Sequence, residues 1–540
     1  MKYFTTKIPF LIPSYGVKQK ETEKMDRYLQ LLERSGVLDC IFDDSIINGR
    51  PAYNKYDLLA TILYCFAFGK GTLRDIESMC KYDLRVIYLM SNEQPKHSII
   101  GKFINDYILP NQEYIFSRIT KEIINECKIE IDDAYLDGSK FEANANKYKF
   151  VWKPTTFHNK LSEKIRILLS KYNIDRKVPK NGMISSTLVA NKLIELSEVI
   201  DKENKEMRKD YSLLLEYLTK SLEYEEKERI CGPNRNSYYK TDHDATAMCL
   251  KEDYYSGLGG NMHAGYNVQV IVSKGLILTY LITQSRNDVA DFIPTLNRYY
   301  QFYKCYPKRL AADSGYGSEE NYEYLKANQI ENYVKYFSWQ GNVSGQNPSQ
   351  YIMNDDDTIT CLNKKIGYEL ILENRHPKKA NARFYKIEGC KNCNFKYYCK
   401  RYMNNKDEDY KIFEVNVKLQ HYINESEKNL LSPKGIEMRV NRRSQVEGSF
   451  GVIKQDFGYE RFRRTTIKKV SLEFMLVSLG YNIRKLFKYF DGNAKFNYWR
   501  VPNDLQSKAF KKPSAKRLSN KALKKKEMSV NERSKTYKYK

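Results

Sequence analysis

Apolar side chains recur at helical spacing through the first fifth of the chain. Tyr28, Leu31 and Leu32 stand at positions i, i+3 and i+4, which is the spacing of one face of an amphipathic helix. Residues 56–68 (YDLLATILYCFAF) are almost all apolar, so they predict a helix that is buried on every side. The pattern predicts an all-α N-terminal domain over residues 20–118.

Segments with strand character begin at residue 129 and alternate with helical ones. Residues 129–143 (IEIDDAYLDGSKFEA) combine β-branched and aromatic side chains, which favours a strand. Two apolar runs, 265–272 and 276–282, flank the turn Ser273-Lys274-Gly275 and predict an antiparallel hairpin. A helix, a strand that ends at Asp313, a second helix and a further strand follow. This order predicts an α/β domain with a mixed sheet, and it is compatible with the ribonuclease H type.

Two long stretches interrupt the predicted α/β domain. Residues 154–230 are polar and helical, with a break at Pro179 and Gly182, and we interpret them as an inserted helical hairpin. Residues 341–430 are polar, irregular and cysteine-containing, and they form a second insertion. Helical spacing then resumes, so the α/β domain is predicted to cover residues 129–490. Residues 491–540 are strongly basic and predict a flexible tail.

The charge balance favours a polyanionic partner. The chain has 91 lysine and arginine residues against 66 aspartate and glutamate residues, a formal net charge of +25. Each cation placed on a phosphate releases condensed counterions, so such an excess is typical of nucleic-acid binding. The N-terminal helices, with basic faces, then suit a helix-turn-helix-like DNA-binding unit. A helical cap on the following domain fits the same pattern equally well.

Nothing in the sequence predicts a membrane segment or a secretion signal. No run of about 18 apolar residues occurs, and the first residues lack the basic start and apolar stretch of a signal peptide. The eleven cysteines are mostly scattered singly, which favours reduced thiols. We therefore expect a cytoplasmic protein with no membrane partner.

Three carboxylates stand out by their local setting. Asp137 lies where a strand meets a glycine, Asp313 ends an apolar strand, and Glu447 lies on a helix. Carboxylates at strand ends often line a ligand crevice, and Mg²⁺ prefers a few carboxylates together with water and phosphate oxygens. On composition alone six other acidic residues compete for such a site: Asp132, Asp133, Glu142, Asp242, Asp244 and Asp288.

The helix around Glu447 carries two cations near the carboxylate. At about 100° per residue, Arg443, Glu447 and Lys454 fall within a narrow arc. Val446, Phe450, Ile453 and Phe457 form a separate apolar stripe that would pack on the sheet. This spacing predicts that Glu447 faces a metal while Arg443 and Lys454 contact phosphates.

Several separated segments resemble one family, the insertion-sequence DDE transposases with an InsH-like N-terminal domain. Residues 137–147 (DGSKFEANANK) resemble the segment of its first aspartate, and residues 312–318 (ADSGYGS) that of its second. The Arg443-x3-Glu447-x6-Lys454 spacing resembles the signature around its catalytic glutamate. Further similar segments are Thr241-Asp242-His243-Asp244-Ala245, Gly265-Tyr266-Asn267-Val268-Gln269, Arg461-Phe462-Arg463-Arg464 and Tyr481-Asn482-Ile483-Arg484. Departures occur at Val440 (Tyr in the related signature), His243 (often Pro) and Thr465-Thr466 (Arg-Gly).

The resemblance implies a bacterial, nucleoid-associated enzyme with a ribonuclease H-like core. It implies two Mg²⁺ or Mn²⁺ ions on Asp137, Asp313 and Glu447, and metal-dependent cleavage and strand transfer at the terminal inverted repeats of an insertion sequence. The partners implied are double-stranded DNA, both transposon ends and target, and a second copy of the chain in a homodimer on paired ends. The DNA and phosphate contacts implied are Arg443, Lys454, Lys140 and Arg461.

Four cysteines in the second insertion form the one clustered set. Cys390 and Cys393 have C-x2-C spacing, Cys399 follows after five residues, and Cys361 lies upstream. Four thiolates suit a structural Zn²⁺ ion held tetrahedrally. Thiols without a metal, or with a redox role, remain the alternative.

Two rival functions fit the basic composition. One is a catalytically inactive, repressor-like DNA-binding derivative, and the other is a metal-dependent DNA nuclease that does not join ends. The intact set of three carboxylates argues against the first, and detection of joined products would exclude the second.

Overall fold

The computed structural model describes residues 19–40, 53–199, 203–250, 261–344, 350–354, 356–371, 382–401, 403, 406–493, 496 and 498–502. The predicted basic tail at 491–540 therefore lies almost wholly outside the described residues. Among the helices in the described ranges, none combines the length and the apolar character that a membrane span requires.

Six helices make up the N-terminal part. They are α1 (Gln19–Arg34), α2 (Lys55–Ala67), α3 (Leu73–Tyr82), α4 (Leu84–Leu89), α5 (His97–Phe103) and α6 (Gln112–Glu126). Asn54 caps α2 by accepting hydrogen bonds from the amides of Tyr56 and Asp57, and nearly every side chain of α2 is buried, as predicted.

A six-stranded mixed sheet follows. Its strands are β1 (Asp133–Glu142), β4 (Thr246–Met248), β5 (His263–Ser273), β6 (Leu276–Thr283), β7 (Arg309–Ala311) and β8 (Glu331–Asn332). Strands β6 and β4 both pair with β5, and the order continues β5-β1-β7-β8. The pairs β6–β5 and β5–β1 are antiparallel, whereas β1–β7 and β7–β8 are parallel. The predicted mixed α/β sheet is confirmed.

The β5–β6 hairpin forms where the apolar runs predicted it. Lys274 and Gly275 both have positive φ, 50° and 75°, which is the geometry of a two-residue type I′ turn. Ten of the eleven β5 residues are buried, as expected for a strand with neighbours on both sides.

The first insertion differs from the predicted hairpin because it holds three helices. These are α7 (Thr155–Lys171), α8 (Ser186–Val199) and α9 (Lys205–Cys231). The part of the insertion after Pro179 and Gly182 is thus two helices where the hairpin predicted one. The three helices bury a hydrophobic cluster of their own, which includes Leu161, Ile165, Leu196 and Leu214. A two-stranded ribbon, β2 (Phe150–Trp152) with β3 (Ser237–Tyr239), closes the base of this unit.

The second insertion is also more regular than its polar sequence predicted. It forms an antiparallel sheet in the order β13-β12-β11-β10-β9, with β9 (Tyr351–Met353), β10 (Ile359–Cys361), β11 (Ile366–Leu370), β12 (Ala382–Glu388) and β13 (Tyr410–Asn416). The strands are short, and only a few side chains of each are buried, which is why the sequence gives a weak strand signal.

Further helices follow the β5–β6 hairpin along the chain. They are α10 (Phe292–Tyr303), α11 (Glu319–Ala327), α12 (Trp339–Ser344), α13 (Lys396–Cys399), α14 (Val417–Leu431), α15 (Pro433–Arg442), α16 (Gly448–Gly451) and α17 (Ile467–Phe490). Helix α17 packs on α2, α6 and β6 at once. A Cβ at Gly480 would lie 2.6 Å from the Phe66 carbonyl carbon, so glycine permits this close helix contact. One hydrophobic core is thus common to the N-terminal helices, the sheet and α17.

Candidate active site

The strand register brings Asp137 and Asp313 to the same edge of the sheet. Strands β1 and β7 are parallel, and Tyr135 is paired with Ala311. Asp137 and Asp313 each lie two residues beyond this pair, so side-chain alternation directs both carboxylates to one face. The neighbouring β5 supports β1 here by pairing Val270 with Asp137.

Glu447 reaches the same edge of the sheet from a helix that packs on the sheet. Helix α15 packs against β1 and β7 and continues into a π-helical turn, Arg443–Glu447. Val446, Phe450 and Ile453 are buried, which confirms the predicted packing stripe. The π-helical turn widens the helix where Glu447 projects, and such turns are frequent at functional sites.

Arg442 lies among the three carboxylates, and it was missed in the sequence. Its Nη1 donates to Asp137 Oδ2 at 2.7 Å, and its Nη2 lies 3.9 Å from Asp313 Oδ2 and 3.6 Å from Glu447 Oε1. Its side chain is only 8% exposed, whereas Asp313 and Glu447 are nearly half exposed. A single buried guanidinium therefore holds together three carboxylates from distant parts of the chain. A signal was available, because Arg442 precedes Val446 by four residues and so lies on the apolar stripe.

Burial and a like charge act on Asp137. Desolvation raises the pKa of the Asp137 carboxyl to about 6, and the nearby Asp313 carboxylate adds to the increase. The Arg442 guanidinium and the amide of Gly138, which donates to Asp137 Oδ1 at 2.9 Å, act in the opposite direction. Lys335 Nζ lies 3.7 Å from Asp313 Oδ1 and adds a second cation at the edge of the group.

A fourth carboxylate, Asp288, lies beside Asp137. Its Oδ1 accepts hydrogen bonds from Asn267 Nδ2 and Gln269 Nε2, both at 2.8 Å. A Cβ at position 138 would lie 2.5 Å from Gln269 Nε2 and 2.8 Å from Asp288 Oδ1, so a larger residue there would displace these two side chains. The GYNVQ segment thus fixes the orientation of Asp288.

The other competing acids have structural partners instead. Asp133 is paired with Arg309 and Lys434, and Asp132 with Lys308. Glu142 lies 3.9 Å from Arg461, Asp242 accepts from the Tyr266 hydroxyl, and Asp244 accepts from the Ile467 amide.

An open cleft of about 550 Å³ adjoins the carboxylates. Its lining includes Asp137, Lys140, Asp288, Glu447 and Lys454. Lys454 Nζ donates to the carbonyl of Lys140 at 3.2 Å and lies over the Phe141 ring.

Arg443 is highly exposed and lies 3.6 Å from Glu447 Oε2. Arg461 is not among the lining residues, because it lies beside Glu142 at the far end of β1. The structure thus gathers the three carboxylates with Arg443, Lys140 and Lys454, and leaves Arg461 further along the strand.

The four predicted zinc ligands also come together. Cys361, Cys390, Cys393 and Cys399 all line one small cavity at an end of the second sheet. None of the described cysteines takes part in a disulfide.

The carboxylates suit a divalent metal in donor type. Their oxygens surround one cation, Arg442, which marks a place where positive charge is stabilised. As the described side chains stand, no three His, Cys, Asp or Glu residues are close enough to hold a metal. The guanidinium spaces the carboxylates apart, so binding a metal requires their side chains to close in.

Carboxylates gathered on a mixed sheet, beside a cleft lined in part by lysines, form an acidic site with cations at its edge. A family model described as a transposase DDE domain matches residues 360–487, a range that contains Arg442 and Glu447. Searches of curated proteins and of solved structures give no match. The family match supports a DDE transposase, and that family implies an enzyme of the polynucleotidyl-transferase type with DNA as substrate.

Proposed function

We propose that this protein is a DNA transposase that cleaves and joins DNA at the terminal inverted repeats of an insertion sequence. The observation that carries the proposal is the convergence of Asp137, Asp313 and Glu447 around Arg442. Three carboxylates from segments 176 and 134 residues apart would not meet at one buried cation for stability alone, since such a site costs desolvation energy.

In this proposal Asp137, Asp313 and Glu447 hold two Mg²⁺ or Mn²⁺ ions. Such a pair, when bound, activates a water or a 3′-hydroxyl and stabilises the leaving oxygen of an in-line displacement. Other residues of the chain hold the carboxylates in place. Asp137 accepts hydrogen bonds from the Gly138 amide and the Arg442 guanidinium. Glu447 is held by the buried apolar stripe of its own helix, which includes Val446. Arg443, Lys140 and Lys454 contact DNA phosphates near the scissile bond, with Arg461 further along the same duplex.

The fold supports a ribonuclease H-like core in two respects. Three antiparallel strands are followed by two parallel ones, and the carboxylates come from the centre of that sheet and from a helix packed on it. We also propose that the N-terminal helices bind the transposon ends and that a homodimer forms on paired ends. The core common to α2 and α17 makes those helices a rigid extension of the catalytic domain.

The decisive experiment is an assay with DNA that carries the element's own ends, in Mg²⁺, for wild type, Asp313→Asn and Asp132→Asn. We expect nicked and joined products from the wild type and from Asp132→Asn, whose carboxylate pairs with Lys308 outside the cleft. Asp313→Asn should lower both steps by at least about 100-fold, the scale of losing a group that acts in the transition state.

Other outcomes identify the rival functions. Nicking without joined products would indicate a nuclease. Tight DNA binding without metal-dependent chemistry in any variant would indicate the inactive derivative.

A further inference from the structure

The second sheet, β9–β13, has a small hydrophobic core of its own. Among the described residues its cluster contains five buried hydrophobic side chains, Ile359, Tyr385, Ile387, Phe413 and Val415. Units of this size commonly need a disulfide or a metal ion for stability. No disulfide is present among the described cysteines.

The four clustered cysteines lie at one end of this sheet. Cys361 ends β10, in the turn where its amide donates to the carbonyl of Lys365. Cys390 and Cys393 lie in the turn after β12, where the amide of Cys393 donates to the carbonyl of Cys390. Cys399 is the last residue of the short helix α13. The four thiols, which come from two turns and a helix end, thus line one cavity of about 30 Å³. A cavity of this size has room for one water molecule.

Two buried lysines face the same cavity. Lys400 and Lys411 are 2% and 7% exposed, and Lys411 Nζ lies 3.1 Å from Cys399 Sγ. Both ammonium groups also donate to carbonyls, Lys400 to Glu408 and Lys411 to Cys399. Thiolates around this cavity would place negative charge beside the two ammonium groups.

We propose that Cys361, Cys390, Cys393 and Cys399 bind one structural Zn²⁺ ion as four thiolates. Zn²⁺ with four thiolates carries a net charge of −2, which suits a cavity lined by two lysines. Zinc binding draws the sulfurs inward from their positions around the cavity by side-chain rotation. Four protons leave the thiols as the four zinc–sulfur bonds form, and no oxidant or reductant takes part.

The site has a structural role and no catalytic one. All four ligands are protein thiolates, so no open position is left for a substrate, as in closed tetrahedral zinc sites. Zinc would fix β10 to the β12–β13 connection. Strand β13 runs directly into α14, which leads to α15 and Arg442, so a stable second sheet also anchors the helices that present Glu447.

The first test measures zinc content of the full-length protein, purified under reducing conditions, by elemental analysis. We expect about one Zn²⁺ per chain in the wild type and in Cys305→Ser, whose thiol is exposed and lies outside the insertion. The double variant Cys390→Ser, Cys393→Ser should contain less than a tenth of that amount. An undiminished zinc content in the double variant, or a wild type that takes up no zinc when it is supplied, would overturn the proposal.

A second test uses the wild type alone, so it does not depend on the folding of a variant. Co²⁺ added to the chelator-treated protein should give one equivalent of thiolate-to-cobalt charge-transfer absorption. Thiol titration without reductant should count four more reactive cysteines after chelation than before. Absence of the cobalt band, or thiols that become reactive only after reduction, would contradict a zinc site, and the latter result would indicate disulfides.

The lysines provide a further check. Lys411→Gln should lower zinc affinity, measured against a competing chelator, by about 10- to 100-fold, the usual effect of losing a group that supports metal ligands. Lys364→Gln, an exposed change in the β10–β11 turn, should leave the affinity unchanged. Equal affinities for the two variants would show that Lys411 does not balance the charge.

Discussion

At the scale of single residues, the arrangement around Arg442 determines how the proposed active site behaves without a metal. Three carboxylates face one another across this guanidinium, so it reduces their mutual repulsion. A bound divalent cation would supply twice that positive charge in a smaller volume. Arg442 and divalent metal should therefore stabilise the site by partly interchangeable means.

We predict that Arg442→Met destabilises the metal-free protein by about 3 kcal/mol, as expected when one partner of a buried ion pair is removed. Added Mg²⁺ or Mn²⁺ should then raise its melting temperature more than that of the wild type, since ligand binding to the folded state stabilises it. Thermal unfolding with and without the metal measures both effects.

The matched control is Arg309→Met. Arg309 also pairs with a partly buried aspartate on β1, Asp133, but lies outside the cleft. Its variant should lose stability without recovery in metal. Equal recovery of both variants would indicate that the metal acts elsewhere.

The same residues show what could be predicted from the sequence. Strand ends, glycines and the resemblance predicted a site at Asp137, Asp313 and Glu447, and the structure brings these three carboxylates together. Arg442 was missed because its partner Asp137 lies 305 residues away. Its position four residues before Val446 indicated burial, but no local pattern shows which carboxylate a buried guanidinium contacts.

At the scale of elements, α17 stabilises the open edge strand β6 with one buried side chain. Asn482 Oδ1 accepts from the amide of Ile277 at 2.9 Å, and Asn482 Nδ2 donates to the carbonyl of Ile277 at 2.8 Å. The amide group thus satisfies a backbone donor and a backbone acceptor that would otherwise lie unpaired beneath a helix. This pairing gives a physical reason for the asparagine in the segment Tyr481-Asn482-Ile483-Arg484.

We predict that Asn482→Leu lowers the free energy of unfolding by about 2–5 kcal/mol, because it leaves two buried backbone groups unpaired. Asn125→Leu, an exposed position on α6, should change it by no more than about 0.5 kcal/mol. Urea unfolding of both variants measures these two changes in the free energy of unfolding. A small effect for Asn482→Leu would mean that water replaces the amide group.

Elements differed in how well the sequence predicted them. The β5–β6 hairpin was predicted correctly because its turn chemistry and apolar runs are local. The second sheet, β9–β13, was not, because short strands with few buried side chains resemble polar loops. Its stability depends on contacts between turns that are distant in sequence.

At the scale of the whole molecule, the helical insertion α7–α9 is a nearly separate unit. Its helices bury a cluster of their own, and the β2–β3 ribbon joins them to the main sheet. Such an insertion can change in size without disturbing the sheet. The N-terminal helices differ, since they share their core with α17 and the strands.

We therefore predict that replacing residues 154–235 by Asn-Gly leaves the rest of the chain folded, because Trp152 and Ser237 are already paired in the ribbon. The melting temperature should fall by less than about 5 °C, a change that corresponds to roughly 1–2 kcal/mol. Circular dichroism should show only the loss of α7–α9.

Deletion of residues 53–67, which contain the buried helix α2, is the contrasting control. It should abolish cooperative unfolding, because α2 lies in the common core. If the shortened chain without α7–α9 aggregated while the α2 deletion stayed folded, the proposed independence of the insertion would be wrong.

The position of α17 late in the chain has a consequence for synthesis. A ribosome that adds about 5–20 residues per second needs on the order of 15–60 s to go from Asp137 to Arg442. Until Arg442, Glu447 and then α17 emerge, the sheet lacks both the cation that gathers its carboxylates and the helix that covers β6. A nascent chain that ends before Arg442 therefore carries acidic strands without an assembled site, so the proposed chemistry requires synthesis to pass α17.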